Sequence, residues 1–215
     1  MNDAADNSSI VVQRPGGTPA ELVLLFHGVG ASADDLVPLA RHVARARPQA
    51  MVASIGAPFP FDMGEGRQWF SLLGVTEADR PARVAAAMPA FAGAVAHWQA
   101  GSGVAAGRTT LIGFSQGAIM ALEATQADLP KPLACRVIAI AGRFAQPVRR
   151  APASVALHLI HGADDPVIAV QQSVRAAEAL RQLGADTTLD VLPALGHGVD
   201  QRVVELVVSY LGGAA

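Results

Sequence analysis

The chain has 215 residues, 51% of them apolar and 16% charged, with a formal net charge of -2. That balance excludes a disordered chain, offers no basic surplus for a nucleic-acid partner, and contains no apolar run of the ~20 residues a membrane helix needs, so no stable membrane insertion is expected. One large core suits the length, giving an expected single domain over 1–215.

Cys135 is the only cysteine, which rules out an internal disulfide framework and favours a reducing compartment. Asp3 and Asp6 stand where a secretory leader would carry bases, and the expected location is the cytoplasm.

In chain order, short apolar runs predict strands at 10–13, 21–26, 50–55, 109–112, 134–140, 155–160 and 187–192. Alanine-rich stretches between them predict helices near 34–46, 81–99, 116–126, 169–183 and 199–211. Strands alternating with helices imply an α/β fold: a mostly parallel central sheet flanked by helices. Residues 56–79 break the pattern, being rich in proline, glycine and aromatics, and they follow the carboxyl end of a strand, where ligands bind in such sheets.

Gly113-Phe114-Ser115-Gln116-Gly117 falls where a strand gives way to a helix, the sharp turn on which hydrolases present a nucleophile. Small residues two positions either side of Ser115 let strand and helix approach. A serine hydroxyl then needs a base, an orienting acid and donors for the oxyanion. Of six histidines, His42 and His97 sit in helical patterns and His158 inside a strand. His197 follows the last strand and precedes the last helix, on the sheet edge of Ser115, which makes it the expected base.

The acid is expected between the two in sequence, within His161-Gly162-Ala163-Asp164-Asp165-Pro166-Val167. Asp164 and Asp165 compete for the role. Asp165 precedes proline, whose ring favours an extended backbone capable of aiming its side chain across the loop.

For the oxyanion, the backbone N–H of Gln116 is one expected donor and that of Val29, in His27-Gly28-Val29-Gly30, the other; the Gln116 side chain is given no role. The same glycine loop fits a G-x-G-x-x-A dinucleotide pattern. That reading fails on the next strand, where Met51-Val52-Ala53-Ser54-Ile55 has no acid for a ribose. No phosphate loop, metal-ligand spacing or cysteine cluster occurs, and no metal is expected. Trp69 and Phe70, in Arg67-Gln68-Trp69-Phe70 of the irregular segment, are expected as a substrate wall, with Trp98 in packing.

Leu25-Phe26-His27-Gly28-Val29-Gly30, Arg67-Gln68-Trp69-Phe70, the Ser115 pentapeptide, His161 to Val167 and Gly196-His197 together resemble the phospholipase/carboxylesterase family of α/β-hydrolases, over nearly the whole chain. Residues 66–74 and 113–123 look like a bacterial subgroup of carboxylesterases. The resemblance implies Ser115, Asp165 and His197 as a triad, Val29 and Gln116 as oxyanion donors, no cofactor, no separate cap domain and an open site. It is compatible with a homodimer, which no residue pattern demands.

The expected reaction is carboxylic-ester hydrolysis on small or medium acyl esters. Thioesterase or lysophospholipase activity is the alternative within the class, and a non-catalytic binding protein the alternative outside it. The first loop reads Gly-Val-Gly-Ala rather than the Gly-x-Gly-Asp common in thioesterase members, and Gly198 follows the base, both departures bearing on groove shape.

Overall fold

A computed structural model describes residues 8–212. The chain begins with β1 (Ile10–Gln13) and β2 (Glu21–Phe26), then passes through a 3-10 turn at Ala33–Leu36 into α1 (Val37–Ala46) and β3 (Ala50–Ile55). Next come the two-residue strands β4 (Phe59–Pro60) and β5 (Arg67–Gln68), the long α2 (Arg80–Ser102), β6 (Thr109–Phe114) and α3 (Gln116–Ala124). The last part is β7 (Arg136–Ile140), β8 (Ala156–Gly162), α4 (Gln171–Gln182), β9 (Thr187–Leu192) and α5 (Gln201–Tyr210).

Seven strands form one sheet in the order β1-β3-β2-β6-β7-β8-β9. All neighbours run parallel except β1, which pairs antiparallel with β3 at the edge. A strand buried on both faces must be apolar throughout, and β2 shows why the centre reads as a continuous greasy run. Leu22, Leu24 and Phe26 enter the core beneath α2, α3 and α4, whereas Val23 and Leu25 enter the core beneath α1 and α5. Successive side chains point to opposite faces, so both sets are needed.

The strand order reverses between β2 and β6, the switch point at which α/β sheets open a crevice. Register puts Phe26 beside Gly113, so the loop after β2 and the turn after β6 emerge together.

Several elements differ from the sequence expectation. Pro38, near the start of α1, ends the 3-10 turn and leaves the regular helix shorter than 34–46. Helix α2 runs three residues past the expected end at 99, to Ser102, and carries Pro89 within it as expected, one face anchored in the core through Val84, Met88, Phe91 and Val95. The 56–79 segment contains the β4-β5 pair, too short to produce a periodic signal. Among the described residues no helix is long and apolar enough to cross a membrane.

Candidate active site

Strand β6 runs two residues beyond the predicted end, through Gly113 and Phe114, and delivers Ser115 as the cap of α3. Ser115 has φ 52° and ψ -113°, a left-handed conformation costly for any residue with a side chain. Packing enforces it. A Cβ on Gly113 would stand 2.5 Å from the backbone of Ala118, and one on Gly117 would stand 2.2 Å from the carbonyl oxygen of Phe26. The turn closes only because both positions lack a side chain.

The Ser115 hydroxyl donates to His197 Nε2 at 2.9 Å. On the other side of the ring, His197 Nδ1 donates to Asp165 Oδ2 at 2.7 Å. The tautomer follows from the partner: an ionised carboxylate only accepts, so the proton sits on Nδ1 and Nε2 is left free to accept from the serine. Phe114 packs against the imidazole, with ring centroids 5.0 Å apart.

Of the two adjacent acids, Asp165 reaches the histidine and is buried, whereas Asp164 is exposed and contributes its backbone N–H to Leu195 O at 3.0 Å. Asp165 Oδ1 accepts from the N–H groups of Val167 (2.8 Å) and Ile168 (2.9 Å), a local turn that fixes the side chain's direction. Burial pushes the Asp165 carboxyl up, but the His197 hydrogen bond and the Ile168 and Val167 donors outweigh it and hold it below the usual range. It is therefore ionised at neutral pH.

A third contact was not anticipated. His161 Nε2 lies 2.8 Å from Ile168 O and 3.2 Å from Asp165 Oδ2, two acceptors that place its proton on Nε2. Its Nδ1 accepts from the Ser173 hydroxyl at 2.7 Å. Burial, partly offset by Ile168 and Asp165, lowers the His161 pKa, so the ring is a neutral donor at neutral pH. Its place four residues ahead of the acid was the available signal.

The backbone N–H groups of Val29 and Gln116 have no hydrogen-bond acceptor among the described residues, and both residues line the same cavity as Ser115. As the first residue of α3, Gln116 has an N–H that no intrahelical carbonyl can reach. His27, lowered in pKa by burial against the opposing Gly28 hydrogen bond, supports the Val29 loop. Its Nδ1 donates to Gly28 O at 2.6 Å, and its Nε2 accepts from the Ala57 N–H at 3.0 Å. The backbone of Arg67 clips the far end of that loop, taking the Gly30 N–H (2.9 Å) and giving its own to Ala31 O (2.9 Å).

The Gln116 side chain does have work. Its Oε1 accepts from the Trp69 N–H and its Nε2 donates to Phe70 O, each at 2.7 Å, tying the irregular segment to the residue after Ser115. That tie turns the expected aromatic wall through a half-rotation: Phe70 lines the cavity, but the Trp69 ring points into the core. Trp69 is 1% exposed and packs edge-on to Phe91 (5.0 Å) and tilted against Phe26 (5.8 Å). The substrate-wall expectation for Trp69 is corrected accordingly: its ring packs among the aromatics of the core, and Phe70, itself largely buried, is the one of the two that lines the cavity.

The cavity at Ser115 has a volume of about 400 Å³. Its walls near the serine are apolar, from Phe70, Ile119, Val167 and Ile168, and its outer end carries Arg80, Arg143 and Glu77. Among the described residues no group of three or more His, Cys, Asp or Glu is placed to hold a metal ion.

The sequence profile of the phospholipase/carboxylesterase family matches residues 7–213. The chain belongs to this family. Esterase YpfH of Escherichia coli (strain K12) is 46% identical to this family member over 201 residues, 94% of this chain and 86% of that one. The crystal structure of esterase PE8 superposes with a TM-score of 0.85 at 30% identity, covering 95% of this chain and 97% of that one. Acyl-protein thioesterase 2 of Zea mays, at 20% identity and a TM-score of 0.73 over 95% of this chain and 97% of that one, shares the fold.

Proposed function

We propose that this member of the phospholipase/carboxylesterase family is a serine carboxylic-ester hydrolase with Ser115 as nucleophile, His197 as base and Asp165 as the orienting acid. The observation that carries the reading is the unbroken hydrogen-bonded chain from the Ser115 hydroxyl through both imidazole nitrogens to Asp165. The esterases related to this chain support the reaction class.

In the first half-reaction His197 Nε2 takes the proton as Ser115 Oγ attacks the ester carbonyl. Asp165 stabilises the imidazolium without taking its proton. Charge collecting on the carbonyl oxygen is met by the N–H groups of Gln116 and Val29, already aimed and without protein acceptors, so no reorganisation is needed when the charge appears. Collapse of the adduct expels the alcohol, which receives the proton from His197. Water then enters against the acyl-serine with His197 again as base and releases the carboxylic acid. Every proton and bond is supplied by the residues, the ester and water, so the chemistry calls for no cofactor.

A complete Ser-His-Asp chain supports an enzyme over a binding module. The solitary Cys135 supports a cytoplasmic location. Replacing Ser115→Ala removes one oxygen and no core volume; turnover of small activated esters falls by about 10⁵-fold or more while the circular dichroism spectrum is retained. Near-normal turnover in that variant would refute the assignment.

A further inference from the structure

The end of the catalytic cavity away from Ser115 is built unlike its walls. Arg80 and Arg143 both line it, and each side chain is only 16% exposed. Their shared counter-charge is Glu77: Arg143 makes a forked contact to its two oxygens at 3.1 and 2.7 Å, and Arg80 reaches Oε1 at 2.9 Å. The other residues lining that cavity are neutral, so the charges sum to one positive.

The arrangement is lopsided in a second way. The guanidiniums are sunk into the groove, whereas the Glu77 side chain is 65% exposed. An exposed carboxylate gives weak, screened pairing, and its long side chain can rotate out to solvent. Arg80 also keeps a buried Nε with no acceptor among the described residues. A buried donor on a charged group without a partner is costly, so Glu77 leaves Arg80 only partly satisfied.

Arg143 and Glu77 also sit at a junction. A second cavity of about 480 Å³, with Arg175 in its lining, shares Glu77, Arg143 and Gln172 with the catalytic one. Arg143 thus lies where the two cavities meet, with Arg80 on the catalytic side.

We propose that the site prefers esters carrying a carboxylate at the end of an apolar spacer, with the ester at Ser115, the spacer against Phe70 and Ile119, and the carboxylate on Arg143 and Arg80 in place of Glu77. A planar guanidinium fork matches a carboxylate in two hydrogen bonds, which an apolar groove end would not. The proposal rests on the esterase reading for turnover, though binding tests it independently. Glu77 acts as a resident stand-in for the substrate's anion: it satisfies the arginines when the groove is empty and leaves when a better-placed carboxylate arrives.

The carboxylate can belong to either half of the ester, and two series distinguish them: monoethyl esters of straight-chain dicarboxylic acids place it on the acyl half, and butyrate esters of hydroxy acids place it on the alcohol half. Each is paired with its neutral carboxamide isostere. Binding is measured by calorimetry on Ser115→Ala protein, and kcat/KM on protein with Ser115 intact. The expected result is about tenfold preference for the acid over the amide in at least one series, shrinking as salt is raised.

Glu77→Gln, at an exposed position, should raise that preference several-fold by freeing both guanidiniums, and Arg143→Gln or Arg80→Gln should bring it towards one. Because the acid-to-amide ratio is read within each variant, general damage cancels. An acid-to-amide ratio of one or less in both series, or a ratio unmoved by Glu77→Gln and Arg143→Gln, overturns the proposal. Preferential binding to Ser115→Ala without turnover by the intact protein would keep this proposal and defeat the esterase reading instead.

Discussion

His197 draws its orientation from Asp165, and Asp165 in turn from three donors besides His197: the N–H groups of Val167 and Ile168 and the ring of His161. Asp165→Asn would lose the acceptor that fixes the histidine tautomer, and kcat should fall about 10⁴-fold. Asp164→Asn, at the exposed neighbour, should leave kcat within about twofold. Steady-state kinetics on the two variants separates the acids that the bare sequence left in competition. His161 acts through Asp165 and not on substrate. His161→Leu should reduce kcat by about tenfold with KM nearly constant, and should move the acid limb of the kcat profile upward, because Asp165 loses a donor to its charged form. A fall in Tm with the acid limb unmoved would mean that His161 only packs.

At the scale of elements, the site depends on four connections being held in register: the loop after β2, the turn between β6 and α3, and the loops after β8 and β9. The last two are joined by backbone hydrogen bonds from Ala163 to Leu192 O (2.8 Å) and from Asp164 to Leu195 O (3.0 Å), which bring Asp165 and His197 to a common edge. The Gln116 side chain ties the turn after β6 to the irregular segment, and the Arg67 backbone ties the loop after β2 to it. Gln116→Leu would keep the backbone N–H but strand the buried Trp69 N–H and Phe70 carbonyl, at a cost of about 2 kcal/mol or more. Urea unfolding should show that loss together with a raised KM, since Phe70 would no longer be fixed in the cavity wall.

The strand-helix alternation, the turn at Ser115 and the loop after the last strand were legible because each rests on local pattern: apolar runs, glycines about a serine, a histidine between a strand and a helix. What escaped depends on direction. Whether Trp69 or Phe70 faces the cavity turns on the bend that follows the two-residue strand β5, and so short a strand carries too few residues to reveal a period. The part played by the Gln116 side chain depends on a segment 47 positions away in sequence, which no local rule reports. The ends of β6 and β8 fall two residues beyond the expected 112 and 160, where Gly113 and Gly162 each permit a close approach that only the packed structure reveals.

Over the whole molecule, neutral histidines that are buried (His27, His161) or half-buried (His158) tie stability to pH. Burial lowers the pKa values of His27 and His161, and burial together with nearby Arg136 lowers that of His158 to about 4. Below the ordinary histidine range near 6.5 the unfolded chain takes up protons that these rings refuse in the native state, so unfolding gains as pH falls. The stability is fully present above that range and is lost on acidification towards pH 4, the buried His27 and His161 contributing more than the half-buried His158, whose charge solvent screens. Urea midpoints should be level between pH 8 and 7 and fall between pH 6.5 and 4.5; a midpoint rising over the lower interval would contradict the native-state burial of these rings.

The central claim, that Ser115 is an activated nucleophile, is tested most directly by reacting the protein with a fluorophosphonate and mapping the modified peptide. Stoichiometric, time-dependent modification of Ser115, lost in His197→Ala, is the predicted result. Modification at another residue, or none while ester hydrolysis proceeds, would contradict it.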